Sequence, residues 1–519
     1  MQSFIQRWAA VIVGVLCGWD RLRFRGTKRW LAHPKGLFGF LWQRGVLLKD
    51  FGSYAEDTGR QLRTATETLV REQGRPLLYL AKSTTSKDEV IRDLLRRQPV
   101  REGLIGVLSC VEPCWSFEVR RCRQTKQLHL QKAWRKCLHY YHYYLDPQWG
   151  LMHVRLQTWL PFTMHVVLNG RERLARQLTA AGIGYTQRDN CFTAIADLGR
   201  AQELCAEQLQ TDWASLLDGW VRRVNPAYDR IFAEGGWPYY WSADQTEWAT
   251  DVLFRSADDL AACYPAWLRH GIERLGSRDV LRFLGRKATT ANYGGFAGEV
   301  TSDLKERPEG VRLKHRVNGN SVKMYDKQGS VLRVETTLND VSDLKVYRPK
   351  EGDEDGTKDW RPMRKGIADL HRRAAVSDHA NERYLESLAR VADTTPLQDV
   401  TEPLCRPTRW HQQRVRALNP LGAADAALLA AVHDGAFLLN GFRNRDLRQR
   451  LYGAASADPA KQRRQSAQVT RQIRLLRAHG LVKKVPKTHR YQVTAKGRTA
   501  ITALLAARQA DTSKLAAAG

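Results

Sequence analysis

Asp458-Pro459-Ala460-Lys461-Gln462-Arg463-Arg464-Gln465-Ser466-Ala467-Gln468-Val469-Thr470-Arg471-Gln472-Ile473-Arg474-Leu475-Leu476-Arg477-Ala478-His479-Gly480 reads as one long helix, and it decides the fold expected at the carboxyl end. Asp458 is a capping residue and Pro459 suits the first helical position, where its missing N–H costs nothing. Gly480 supplies the left-handed stop. Val469, Ile473 and Leu476 recur at helical spacing and predict a buried stripe. Arg463, Arg464, Gln468, Arg471 and Arg474 fall on the opposite face.

Working outward, Ala423 to Val432 predicts a first helix with Leu428, Leu429 and Val432 inward. Gly435 and Gly441 break the chain, and Asn444 is the expected cap of a second helix reaching Leu451. Two strands, Leu481 to Val485 and Arg490 to Thr494, flank the tip Pro486-Lys487-Thr488-His489. This order is a helix-turn-helix followed by a wing. The long helix would enter the major groove of DNA and the wing would lie along phosphates. Candidate nucleic-acid contacts are Arg463, Arg464, Gln468, Arg471, Arg474, Lys483, Lys484, Lys487 and His489.

Charge supports a polyanionic partner. Residues 406–519 hold 22 Lys+Arg against 5 Asp and no Glu, so +17 of the chain's +29 sits there. A merely solvated surface mixes both signs. The expected partner is nucleic acid, double-stranded DNA first and RNA second. The segment Leu475 to Thr494 resembles the winged helix of MarR-type regulators, a resemblance that implies a duplex-binding module.

The rest of the chain predicts a mixed α/β body, so the expected fold class is α+β multidomain with a C-terminal winged helix-turn-helix. The organisation expected is an α/β region over 1–100 and an α+β body over 101–350. An acidic loop and helices come next over 351–405, then linker end and basic module over 406–519. Composition is globular, at 43% hydrophobic with 16 Trp. The apolar run Ala9 to Cys17 is too short for the ~20 residues of a membrane span and precedes no cleavage site, so Val11 to Cys17 predicts a buried strand or short core helix. No membrane partner is expected. Nine scattered cysteines, an odd number, point to free thiols and a cytoplasmic setting. Cys110, Cys114, Cys122 and Cys137 near His129, His139 and His142 lack a CxxC pair, which makes buried thiols the better expectation than zinc. The oligomeric state is left open.

The second informative stretch is Ser321-Val322-Lys323-Met324-Tyr325-Asp326-Lys327-Gln328-Gly329-Ser330-Val331-Leu332-Arg333-Val334-Glu335-Thr336-Thr337. It predicts two strands joined by the three-residue loop 328–330. Val322, Met324, Leu332 and Val334 then share the core side, while Lys323, Tyr325, Arg333 and Glu335 share an open face. A tyrosine, a carboxylate and two cations suit a phosphodiester. The carboxylate would hold a divalent metal, Mg²⁺ or Mn²⁺, the cations would pair with phosphate, and the tyrosine could attack. Lys323 to Lys327 with Leu332 to Glu335 resembles the K-x-YDK…LRxE signature of rolling-circle replication initiators, which implies metal-dependent nicking of one DNA strand. The His-hydrophobe-His metal motif of those proteins has no counterpart; the nearest run is His139-Tyr140-Tyr141-His142.

Further acids are candidates for the metal: Glu247 and Asp251, four apart on an expected helix face, and Glu299 and Asp303, near Lys305, Lys314 and His315. The aromatic run His139 to Tyr144, with Trp149 and Trp159, suits either base stacking or a core. There is no G-x-x-x-x-G-K-[ST] loop, so no NTPase is expected. Val111 to Cys114, Lys136 to Tyr141, Arg155 to Trp159 and Lys323 to Lys327 together resemble an uncharacterised bacterial family of mobile-element type, which implies no catalytic residue. Three functions are expected: a DNA strand-cleaving or strand-joining enzyme, a non-catalytic winged-helix regulator, and an RNA-binding protein.

Overall fold

In the computed structural model the described residues are 1–232, 237–285, 300–350, 353, 355–389, 391, 397–434, 437, 441–454, 456, 458–486 and 488–509. Two of the expected site residues, Glu299 and Lys487, lie outside them. The protein is α+β and divides into two units, one of Met1–Arg286 with Gly298–Val391, the other of Lys287–Ala297 with Ala392–Gly519.

Among the described residues of the first unit, eleven strands form one sheet. They are β1 (Ile12–Thr27), β2 (Leu77–Tyr79), β3 (Gly103–Arg121), β4 (Leu128–Asp146), β5 (Gly150–Gln157) and β6 (Met164–Asn169). A separate hairpin, β7 (Tyr185–Arg188) and β8 (Cys191–Ile195), intervenes. The sheet resumes with β9 (Tyr240–Phe254), β10 (Thr301–Arg307), β11 (Gly310–Val317), β12 (Asn320–Lys327) and β13 (Val331–Leu338). The order is β10-β11-β12-β13-β9-β1-β6-β5-β4-β3-β2. All pairs are antiparallel except β2 with β3. One sheet therefore takes strands from both the 1–100 and the 101–350 segments. A short hairpin, β14 (Lys345–Arg348) with β15 (Asp359–Pro362), comes after it in the chain.

The two long strands at the middle of the sheet, β1 and β9, place the site. Within Val11 to Cys17, Leu16 is buried, Val13 is exposed and the others are half-buried, so the run is a strand from Ile12 on but only partly a buried one; it continues through Arg21 and Arg25 into the basic stretch. On one face, Val252, Leu332, Val334 and Met324 pack with Tyr384, Leu385 and Leu388 of the helix Leu370–Leu388. On the other, Leu16, Leu253 and Val331 pack with the helices Gly170–Ala180 and Leu198–Glu207. That second layer lies close to the backbone. A Cβ on Gly14 would stand 2.6 Å from Leu198 Cδ1, and one on Gly18 would stand 3.0 Å from Cys205 Sγ.

The helix face expected for Glu247 and Asp251 lies instead on the strand β9. Glu247 and Asp251 still share a side, because a spacing of four suits both a helix turn and a period-two strand. Burial on both sides removed the alternation that would have told the two apart.

The second unit has helices Ala423–Val432, Asn444–Tyr452, Pro459–Ala478 and Ala495–Gln509. Its two hairpins are β16 (Thr408–Trp410) with β17 (Gln413–Val415), and β18 (Val482–Lys484) with β19 (Tyr491–Val493). Leu428, Leu429, Leu447, Val469, Ile473, Leu476, Leu481 and Ile501 form one core. Asp458 accepts from the Ala460 N–H at 2.8 Å. At the other end Gly480 takes φ +73°, and the Leu481 N–H returns to the Leu476 carbonyl at 2.9 Å, a Schellman stop. The second helix differs from expectation at its start. Its cap is Arg443, whose N–H donates to Asp446 at 2.8 Å, while Asn444 turns to Ser466 and Thr470 of the long helix.

Candidate active site

The hairpin registers as its spacing predicts. Lys323 stands opposite Glu335, Tyr325 opposite Arg333, and residues 328–330 make the loop, with Gln328 and Gly329 at φ +54° and +76°. Val322, Met324, Leu332 and Val334 are in the core. The other face is not open, however. Lys323, Tyr325, Arg333 and Glu335 are all buried, and the β7–β8 hairpin packs on that side, where the Asn190 carbonyl accepts from Arg333.

Across the next ladder Glu335 faces Ala249, Arg333 faces Asp251 and Thr337 faces Glu247. Then β9 meets β1, and here the register slips. Trp19 pairs with Trp248 and Arg21 with Glu247, which leaves Asp20 as the extra residue of a bulge. Bulges re-aim side chains. This one brings Asp20 to Glu247 and Glu335, and a carboxylate oxygen from each lies within 4.8 Å of the others. These three are the only metal-capable cluster among the described residues.

Two sets of charges support the cluster. Lys323 Nζ is bonded to Glu335 and stands 3.6 Å from Glu247 Oε1. Deeper, Asp251 accepts from Arg333 at 2.6 and 2.9 Å and pairs with Arg171 at 2.9 Å. Arg333 also reaches Asp20 at 3.5 Å and the Asn190 carbonyl at 2.7 Å. The Asn190 amide lies 2.8 Å from both oxygens of Asp20. Asp20 is thus oriented before any ligand arrives.

Four carboxylates against three cations leave the cluster one positive charge short, and burial adds to the pressure on the acids to stay neutral. Burial, then the charge of Glu335, pushes Glu247 up to about 7 against the pull of Lys323. Burial also raises Asp20, outweighing Arg333. Burial would raise Glu335 too, but Lys323 and Arg333 hold it down. Burial is likewise outweighed at Asp251 by Arg333 and Arg171. Carboxyls driven upward beside one another hold a proton that a divalent cation can displace. Tyr325 is pushed up to about 12, chiefly by burial.

Asp20, Glu247, Glu335, Lys323, Tyr325 and Lys327 line a cleft of about 340 Å³. Seven carboxylates line it, among them Asp88, Glu172, Asp189 and Glu309, against the cations Arg21, Arg92, Lys323 and Lys327. In so basic a chain that excess of acid is local and built.

Three expected site residues are placed elsewhere. Arg333 is wholly buried on Asp251, so it positions carboxylates and does not face a phosphate. Asp251 has its oxygens committed to two arginines and stands outside the metal-capable group. Asp303 lies two strands out from Lys323, through Lys314, and pairs with Arg312 and Arg316 at 3.1 and 3.3 Å. Sequence reasoning misses Asp20. Its only signal is a lone carboxylate, Trp19-Asp20-Arg21, directly after an apolar run.

The other sequence features divide. Arg463, Arg464, Gln468, Arg471, Lys483, Lys484 and His489 are at least partly exposed. Arg474 is exposed but bonded to Gln413, and Arg477 stacks 4.6 Å from the Trp410 ring. Tyr140, Tyr141, Tyr143 and Tyr144 are all buried, which makes them core and not a stacking platform. His139 and His142 lie three apart on β4, so they point to opposite faces. Cys110, Cys114, Cys122 and Cys137 are free thiols. No described helix is long and apolar enough to cross a membrane. Comparison with protein-family models, with curated proteins and with solved structures found no match.

Proposed function

We propose that the protein cleaves or joins DNA strands with Mg²⁺ or Mn²⁺ at the Asp20, Glu247 and Glu335 cluster. A winged helix over 423–494 would carry the duplex-binding surface. The observation that carries the reading is that three carboxylates from three strands converge on one cleft of a chain whose net charge is +29. Oxygens across an octahedral Mg²⁺ are about 4.2 Å apart, so the spread of the three fits one ion after small adjustments. The metal would polarise a phosphodiester and stabilise the departing oxygen.

The chain's own groups have definite parts. Asn190 and Arg333 hold Asp20 in place. Lys323 keeps Glu335 ionised and can turn its ammonium to a phosphate oxygen. Glu247 stands as the neutral acid up to about pH 7 while the cluster is empty, and would give up that proton on joining Asp20 and Glu335 around the ion. Tyr325 lines the same cleft, and it attacks phosphorus only after giving up a proton that burial makes tight. A water nucleophile therefore fits the cleft better than the tyrosine. The test is labelled single-stranded and duplex DNA with Mg²⁺, Mn²⁺ or EDTA. Cutting should need metal, vanish in Glu335→Gln and persist in Tyr325→Phe. A DNA-protein adduct lost in Tyr325→Phe would restore the tyrosine as nucleophile, and no cutting of any substrate would end the enzymatic reading.

One observation favours a second reading. The Lys323 ammonium already sits between Glu335 and Glu247, so the cluster can also stand as an ion network without metal. The protein would then be a non-catalytic DNA-binding regulator. Calorimetry showing no Mg²⁺ or Mn²⁺ binding would select it.

A further inference from the structure

Beyond the bulge, β1 alternates strictly. Leu22 and Phe24 are buried in the core, while Arg21 and Arg25 are exposed and Arg23 is half-buried. Arg21 lines the Asp20 cleft. Arg23 and Arg25 line a second cavity of about 550 Å³, and the adjoining strand makes the same passage from Glu247 to Gln245. The second cavity adjoins a third of about 820 Å³, since Arg29 and Tyr240 line both. The Arg29 guanidinium lies 3.4 Å from the Tyr240 ring centre at that junction. Arg25 pairs with Asp244, and Arg21, Arg23 and Arg29 have no ion pair among the described residues.

The third cavity is aromatic, with Trp30, Phe40, Trp237 and Tyr239 on its walls. Trp30 is 71% exposed, yet its backbone is held. The His33 N–H donates to the Trp30 carbonyl, and a Cβ on Gly36 would stand 2.1 Å from that same oxygen. Gly39 opens on free space, which leaves room beside the ring. Lys28 lines the same cavity and is buried among the rings of Tyr228, Phe232 and Tyr239 at 4.6, 3.9 and 4.3 Å.

Alternate residues of a strand are about 6.6 Å apart, a spacing that suits successive phosphates of an extended single strand. A cationic row ending in an aromatic pocket is how unpaired strands are bound without sequence preference. The pocket's volume is that of a small-ligand site, large enough for a nucleotide and too small for a duplex. We infer that this path binds a single strand of DNA, with phosphates on Arg21, Arg23 and Arg25 and an unpaired base against Trp30, so that the strand leads to the carboxylate cluster. It rests on the cleavage reading for the chemistry at Asp20, whereas the binding stands by itself.

The test is fluorescence anisotropy of labelled oligo-dT with the full chain in EDTA, across a salt series. Trp30→Ala should weaken binding by about tenfold or more. Arg21→Ala with Arg23→Ala should lower the slope of log affinity against log salt by about 1.4. Ultraviolet crosslinking of bromodeoxyuridine oligonucleotide should label the peptide containing Trp30, a readout that needs no variant. Unchanged affinity and slope in these variants would overturn the path even if Glu335→Gln abolishes cutting. Lost affinity with no cutting by the wild type would support the path and remove the cleavage reading. A preference of about tenfold for oligo-U over oligo-dT would overturn DNA as the strand bound.

Discussion

Arg333 grips Asp251 through Nε and Nη2 at 2.6 and 2.9 Å, and both side chains are wholly buried. The pair does no chemistry of its own. It joins β13 to β9, and through the 3.5 Å contact of Arg333 with Asp20 it ties the hairpin to β1. An ion pair this deep is costly to break because the survivor stays buried without its partner.

Arg333→Met should therefore destabilise the first unit by about 3–5 kcal/mol. The double variant Arg333→Met with Asp251→Leu should recover much of that loss. Urea unfolding followed by tryptophan fluorescence is the measurement. A single variant within about 0.5 kcal/mol of wild type would mean the pair carries no structural weight.

Glu247 should make metal binding at the proposed site depend on pH. Its folded value of about 7 lies above the ordinary 4.5, so the fold favours the neutral acid. That contribution is complete below 4.5 and is lost as pH rises through 7. Five histidines, lowered by burial, act in the opposite sense, so Glu247 is read by difference: the stability of wild type relative to Glu247→Gln should fall across this window. Mn²⁺ must displace the proton, so its affinity should climb between about pH 6 and 8 with proton release. Calorimetry in buffers of different ionisation enthalpy would show it, and identical heats in all buffers would refute it.

Bound metal should also raise the melting temperature, since a ligand at about 100 times its Kd adds about 2.7 kcal/mol. Asp20→Asn and Glu335→Gln should each abolish the shift, and EDTA should reverse it. A shift that survives both substitutions would place the ion elsewhere.

Lys28 offers a second pH handle. Burial pushes it down to about 7 from 10.5, while three ring faces and the Trp237 carbonyl favour its charge. Between these values the unfolded chain binds more protons, so this group's contribution to stability should rise with pH from 7 to 10.5. Lys28→Met fits the cage without titrating. The difference in stability between wild type and variant should change across that window, and a constant difference would show that Lys28 stays charged.

In the second unit, Arg471→Ala should weaken duplex binding by about 1–3 kcal/mol if it reads a base. Arg463→Ala and Arg464→Ala should instead lower the salt slope by about 0.9 each if they meet phosphates. Arg474→Ala should do less, because Arg474 is already bonded to Gln413. Wild-type affinity and slope in the triple variant of 463, 464 and 471 would remove the recognition-helix assignment.

Local rules read well from the chain. Asp458, Pro459 and Gly480 bound the long helix because a cap and a stop act within a few residues. The 328–330 loop set the hairpin register for the same reason, and with it the Lys323–Glu335 pair. The helix expected over Glu247 to Asp251 failed where local spacing was ambiguous. Asp20 was invisible because its role depends on a bulge opposite a strand more than two hundred residues away.

Sequence alone therefore determined where the chain turns, which hairpin residues share a side, and that the carboxyl end is strongly cationic. Each of these is settled by backbone preference or charge over a short span. Only the tertiary structure decided that β13, β9 and β1 lie side by side, that the hairpin's polar face is buried, and that Asp20 replaces Asp251 in the carboxylate cluster. Strand order is chosen by the burial of whole faces, a collective free energy that no single segment carries.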